Sequence, residues 1–120
     1  MCLFKGITSS DVNNGLITME PLVFFKCLAD ETRLKALMLI TLKESLCVCD
    51  IQCCLGLSQP KISRHLAELR KSNVVTTTRK GKWVYYQLSS ELPGWAKEVL
   101  LKSAQVCKPQ LNSCLLALED

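Results

Sequence analysis

A chain of 120 residues with 48% hydrophobic content, five glycines and four prolines predicts one globular, mainly helical domain and leaves no room for two. The apolar run Ala36–Ile40 is too brief to span a bilayer and no leader-like apolar stretch opens the chain, so a cytoplasmic protein without a membrane partner is expected. The formal charge of +4 is unevenly spread: residues 61–82 carry seven Lys or Arg against Glu68 alone, a local +6 that leaves −2 elsewhere. Such a block is the footprint of a polyanion, and it lacks the Trp/Phe-bearing face of a membrane-surface helix.

Taken in order, residues 1–18 are polar, rich in Gly, Asn and Ser, and without period; they read as a flexible arm. Pro21 opens a short helix to Leu28 with Leu22, Phe25 and Leu28 on one side. Asp30 then suits the N-cap of a helix over Glu31–Lys43, with Leu34, Leu37, Met38 and Leu42 as its apolar stripe. A third helix, Val48–Leu55, turns Val48, Ile51 and Leu55 inward, and Gly56 fits the left-handed position that ends it.

Ser58 is a natural N-cap for the next helix, and Pro60 is tolerated in a first turn whose amides have no helical partner. Ile62, Leu66 and Leu69 recur at i, i+4 and i+7 along the stretch Ser58–Ser72. The other face carries Gln59, Lys61, Ser63 and Arg64 near its start and Arg70 and Lys71 near its end. Helix, glycine-containing turn and second helix with a polar N-terminal face make a helix-turn-helix, in which such side chains read base edges while neighbouring cations hold phosphate. The DNA contacts expected on this helix are Ser58, Gln59, Lys61, Ser63, Arg64 and His65, although His65, beside Leu66, also reads as a packing residue.

After Asn73 the pattern changes to period two. Val74–Arg79 and Lys82–Leu88 flank Lys80-Gly81 and predict a tight hairpin. Trp83 and Tyr85 lie on one face, and Arg79, Lys80 and Lys82 sit at the tip, where a wing would touch flanking DNA. From Trp95 the helical period returns through Ala96, Val99, Leu100, Ser103, Ala104 and Cys107; Pro109 then breaks or kinks the helix, and Leu111, Cys114, Leu115 and Leu118 resume the stripe. A small domain already has its core, so this last helix is expected to pack on a second copy. A homodimer with two reading helices about 34 Å apart would recognise a near-palindrome. The expected organisation is an arm over 1–18, a winged helix-turn-helix unit over 19–108 and a helical extension over 109–120.

Eight cysteines are many for this length. In a reducing compartment clustered thiols bind soft ions or react more often than they form a disulfide framework. Cys47 and Cys49 fall at a helix start, where the dipole and free N–H groups would lower a thiol's pKa; Cys53 and Cys54 follow within two turns, and thiolates select thiophilic ions. A thiol enzyme would want a base near its nucleophile, yet the chain's one histidine is on the expected reading helix. A structural zinc staple would unfold the domain when emptied.

Leu46-Cys47-Val48-Cys49-Asp50, followed by Ser58-Gln59-Pro60-Lys61-Ile62-Ser63-Arg64-His65-Leu66, resembles the ArsR/SmtB family of winged-helix repressors, and within it the arsenical-resistance repressors. The resemblance extends to Leu28-Ala29-Asp30-Glu31-Thr32-Arg33 and Gly81-Lys82-Trp83-Val84-Tyr85-Tyr86, covering about Leu28–Trp95. It implies a homodimer on double-stranded operator DNA, released when As(III) or Sb(III) binds as inducer, with Cys47 and Cys49 as ligands and no catalytic cofactor. Where this pattern usually has its third cysteine, this chain has Gln52. On a helix advancing about 100° per residue, Cys53 lies about 40° round from Cys49 and Cys54 about 140°, which makes Cys53 the expected third ligand and Cys54, like Cys27, Cys107 and Cys114, a packing thiol. A Cd(II), Pb(II) or Zn(II) sensor of the same family, drawing on Cys2, and a thiol-redox-switched repressor are the alternatives.

Overall fold

The computed structural model of the chain describes residues 19–118; the expected arm over 1–18, with Cys2, lies outside them. Along the chain run α1 (Pro21–Leu28), α2 (Glu31–Lys43), β1 (Leu46–Cys47), α3 (Val48–Leu55), α4 (Gln59–Lys71), β2 (Val75–Lys80), β3 (Trp83–Leu88) and α5 (Gly94–Leu118). The mainly helical winged helix-turn-helix expected from the periodicities is the fold that forms.

The core is built around α2. Residues 36–40 are buried all round, and they are covered by Phe24 of α1, Ile51 of α3, Ile62, Leu66 and Leu69 of α4, and Leu100 and Ala104 of α5. Each fully buried Leu, Ile or Phe contributes about 1.5–3 kcal/mol of transfer free energy. On α1, which is apolar on nearly every side, Phe24 and Cys27 take the core positions, while Leu22 and Phe25 stay exposed. The stripe of α5 expected to meet a second copy instead packs along α2 of the same chain. Pro109 does not break α5: one helix runs through it, with Ala104 and Leu111 seated in the core on either side. Packing on both flanks outweighs the single backbone hydrogen bond that proline removes. No helix among the described residues is long and apolar enough to cross a membrane.

Local chemistry sets the ends of these elements. Gly56 closes α3 with φ of 65°, a left-handed conformation that glycine adopts without a Cβ penalty. The hairpin register pairs Lys80 with Trp83, so the two loop residues are Gly81 and Lys82 rather than Lys80 and Gly81. Gly81, with φ of 63°, is at the first central position, which favours glycine in type II′ turns. Ser58 precedes α4 with extended backbone, but its hydroxyl caps nothing. Asp30 does cap α2: its carboxylate accepts from the Arg33 backbone N–H at 3.0 Å.

That hydrogen bond, helped by the nearby His65 and Arg33 side chains, holds the Asp30 carboxyl below the usual carboxylate range, against a smaller opposing effect of burial. A depressed carboxyl stabilises the fold above its unfolded pKa of about 3.9 and loses that contribution as pH falls through its folded value. Asp30→Ala is therefore expected to cost about 1 kcal/mol at neutral pH, with the gap to the parent closing under acid. Urea melts at a series of pH values check this, and a gap constant down into the acid range would show that the charge is not responsible.

Candidate nucleic-acid interface and thiol cluster

The helix-turn-helix is α3, the Gly56–Ser58 turn and α4. Ile62, Leu66 and Leu69 are each 0% exposed, so burial fixes the rotation of α4 and turns Gln59, Lys61, Ser63 and Arg64 to solvent, with Ser58 exposed just ahead of them. Two turns of polar and basic side chains thus project from the N-terminal end of a firmly seated helix. His65 is turned the other way. Its Nδ1 lies 3.6 Å from Asp30 Oδ2 and 3.5 Å from Arg33 Nη1, which places the ring against the start of α2, in keeping with the packing reading of this residue. Arg33 in turn donates from Nε to the Cys27 carbonyl at 2.9 Å and from Nη2 to that of Lys26 at 3.3 Å, adding to the Ala29 N–H that the Lys26 carbonyl already accepts at the end of α1. Nothing in the period of the sequence singles out this Asp30–Arg33–His65 group.

The wing presents Arg79, Lys80 and Lys82, all exposed. Lys80 Nζ sits 5.3 Å from the Tyr85 ring centre and Lys82 Nζ 5.5 Å from that of Trp83, so the cations rest on aromatic faces and stay outward. Across the ladder Gln87 donates to the hydroxyls of Thr76 at 3.2 Å and Thr78 at 2.7 Å, stiffening the base of the hairpin.

The thiols occupy the seam between the sheet and the helix-turn-helix. Leu46 and Cys47 form a third strand, paired with Tyr86 and Tyr85 of β3, giving a sheet of order β1-β3-β2. Two residues without alternation carry no strand signal, and this element goes unseen in the sequence. Cys47 is buried and serves as the N-cap residue of α3, and Cys49 and Cys53 are exposed on that helix. Cys47 Sγ donates to Asp50 Oδ2 at 3.3 Å. Burial pushes the Cys47 thiol above its ordinary range; the Asp50 backbone N–H works in the other direction, and the Asp50 carboxylate and Cys49 add to the rise. The lowering expected from the helix start does not prevail, because loss of solvent outweighs the N–H groups there.

Among the described residues no three His, Cys, Asp or Glu side chains stand close enough together to hold a metal ion. Cys47, Cys49 and Cys53 are therefore not gathered in this conformation, although Cys49 and Cys53, at i and i+4, share one side of α3. Cys27 is buried and Cys107 half-buried, as expected of packing thiols. Cys54 and Cys114 are not free packing thiols: they form a disulfide between α3 and α5. The rotation that carries Cys54 away from Cys49 delivers it to α5.

Comparison with known proteins agrees with this architecture. The model of a family described as bacterial regulatory protein, arsR family, matches residues 30–77. The chain is 47% identical over 96 residues to the arsenic resistance transcriptional regulator ArsR2 of Pseudomonas putida, covering 80% of this chain and 84% of that protein. It is 50% identical over 80 residues to the arsenical resistance operon repressor of Escherichia coli, covering 67% and 68%. The solved structure of HlyU from Vibrio cholerae superposes with a TM-score of 0.63 at 33% identity, over 71% of this chain and 88% of that one. A helix-turn-helix seated by Ile62, Leu66 and Leu69, a basic wing and these relatives lead to one conclusion: the chain belongs to the arsR family of bacterial regulatory proteins, which are DNA-binding transcription repressors and not enzymes.

Proposed function

We propose that this protein represses a metalloid-resistance operon by binding a near-palindromic operator as a homodimer, and that As(III) or Sb(III) releases it by engaging the thiolates of Cys47, Cys49 and Cys53. The observation that carries this reading is the location of Cys47 at the N-cap and of Cys49 in the first turn of α3, the helix that packs on α4. Cys47 stands just ahead of the helix in extended backbone and its thiol interacts with that of Cys49, whereas Cys53 is not gathered with them. A third thiolate reaches this pair only if the first turns of α3 distort, and Cys53, exposed one turn beyond Cys49, is the sulfur at hand. Ile51, buried on α3, would carry the disturbance to α4 and its Gln59 and Ser63. The kinship with arsenic-resistance regulators supports the choice of inducer.

A second copy is the proposed cover for the apolar side chains that α1 and α5 leave outside. Leu22, Phe25 and Trp95 are exposed, and the Phe25 and Trp95 rings lie 6.1 Å apart, forming one patch across both helices. Rigid aromatic and aliphatic groups of this kind suit a self-complementary interface. The proposed unit for DNA binding is 19–108, with 109–118 continuing α5.

The reading is tested by anisotropy of labelled promoter DNA titrated with arsenite and antimonite. Release coupled to binding by about 1–3 kcal/mol per protomer is expected, and operator DNA must weaken arsenite binding by the same factor; identical arsenite affinity with and without operator would sink the mechanism. On the DNA side, Gln59→Ala is expected to cost about 1–3 kcal/mol on the operator and to relax sequence preference. Lys82→Ala should instead weaken all sequences alike and lower the salt slope by about one unit. Equal losses for Gln59→Ala on operator and random DNA would remove its base-reading role.

A further inference from the structure

The described residues hold a second pair of sulfurs that the proposed sensor leaves unused. Cys54, in the last turn of α3, and Cys114, near the end of α5, are bonded across a sequence separation of 60, with Cα atoms 5.4 Å apart. That spacing lies within the range a disulfide spans without moving the backbone, so the packing of α3 on α5 itself brings the sulfurs into reach. Both side chains are half-buried and line a cavity of about 470 Å³ shared with Leu57 and Lys61. The opening is ample for a small oxidant, and it reaches the N-terminal end of α4. A transcription repressor shares its compartment with DNA, where thiols are held reduced and disulfides are usually transient and sensing.

We propose that Cys54 and Cys114 form a reversible oxidation site for small hydroperoxides, and that its closure braces α3 so that more metalloid is needed to free the DNA. The first half stands on the sulfur pair alone; the second rests on the metalloid-release reading above. One sulfur attacks an oxygen of the O–O bond, which breaks; a sulfenic acid forms and the remaining fragment leaves as an alcohol, or as water when the oxidant is hydrogen peroxide. The partner thiol then attacks the sulfenic sulfur, the S–S bond forms, and water departs with the thiol proton. Two thiols lose two electrons and two protons, and the peroxide accepts them. A dithiol reductant returns both by thiol–disulfide exchange.

The bond ties the last turn of α3 to α5. Drawing Cys53 to Cys47 and Cys49 on one ion would then have to distort an eight-residue helix whose far end is held covalently. Reduced, the same helix can shift as a body.

The experiment starts from the full chain, reduced and anaerobic, treated with one equivalent of hydrogen peroxide or tert-butyl hydroperoxide and mapped by mass spectrometry without reductant. The Cys54 and Cys114 peptides are expected to be linked while Cys47, Cys49 and Cys53 remain open to alkylation. A first bond among those three, or Cys54 and Cys114 left alkylatable, overturns the oxidation site. In the second arm the oxidised chain on promoter DNA should need about fivefold more arsenite, or above, for release than the reduced chain. Cys114→Ser should abolish that difference, with Cys54→Ser as the second variant and circular dichroism checking that each folds. Equal arsenite midpoints for oxidised and reduced parent overturn the bracing. A reduced chain that arsenite never releases counts instead against the metalloid reading, and the mapping then judges the oxidation site by itself.

Discussion

Leu66→Ala is expected to lower the free energy of unfolding by about 2–5 kcal/mol. Leu66 is 0% exposed on the inner face of α4, between Ile62 and Leu69, which are equally buried. Truncation there removes about three methyl or methylene equivalents of transfer free energy and opens a cavity that three packed helices cannot easily collapse. Against a total stability of about 5–15 kcal/mol for a domain of this kind, the loss takes a large share. DNA binding should fall in proportion to the unfolded fraction, on operator and random sequence alike, unlike the selective loss expected for Gln59→Ala. Urea denaturation with parallel anisotropy measures both, and a cost under about 1 kcal/mol would mean that α4 is held by something other than its apolar stripe.

Cys49→Ser carries the largest expected effect on regulation. Cys49 is exposed, so the change leaves packing alone. With one of the two leading thiolates gone, the arsenite dose that frees the promoter should rise at least about tenfold, equivalent to about 1.4 kcal/mol. Cys53→Ser should shift the dose in the same direction by less, since in the proposed mechanism that sulfur joins the other two only after α3 distorts. Cys107→Ser, a half-buried position on α5, should shift nothing. Release of Cys49→Ser at the parent's dose would remove the first turn of α3 from the sensing mechanism.

What the sequence made legible follows physical rules that act locally. Ile62, Leu66 and Leu69 set the rotation of α4 through their spacing, and all three are buried as that spacing requires. Asp30 and Gly56 marked a helix start and a helix end by their own backbone chemistry. The features that stayed hidden depend on partners far along the chain. Which side of α1 goes inside is decided by where Phe24 meets Trp95, with ring centres 5.1 Å apart, and a helix apolar on nearly every side carries no such instruction. The Cys54–Cys114 bond joins positions 60 apart, and pairing among many cysteines cannot be deduced from their order. For His65 the sequence leaves reading face and packing both open, and its contacts with Asp30 and Arg33 far back in the chain are what a period cannot show. The three thiols proposed as ligands follow the same division: their positions at and along α3 were readable, but whether all three meet depends on a local rearrangement that no periodicity records.

Strand β1 has the widest consequence for its size. Its two residues pair with Tyr86 and Tyr85 of the wing, and the second of them, Cys47, is also the N-cap residue of α3. A force applied at Cys47 is therefore divided at once between two levers, one ending in the wing tip and the other in the reading helix. Under the proposed mechanism sensing and output become separable: exchanging the sulfurs at 49 and 53 for other donors would alter which ion is gripped, while the fulcrum that moves both levers stays where it is.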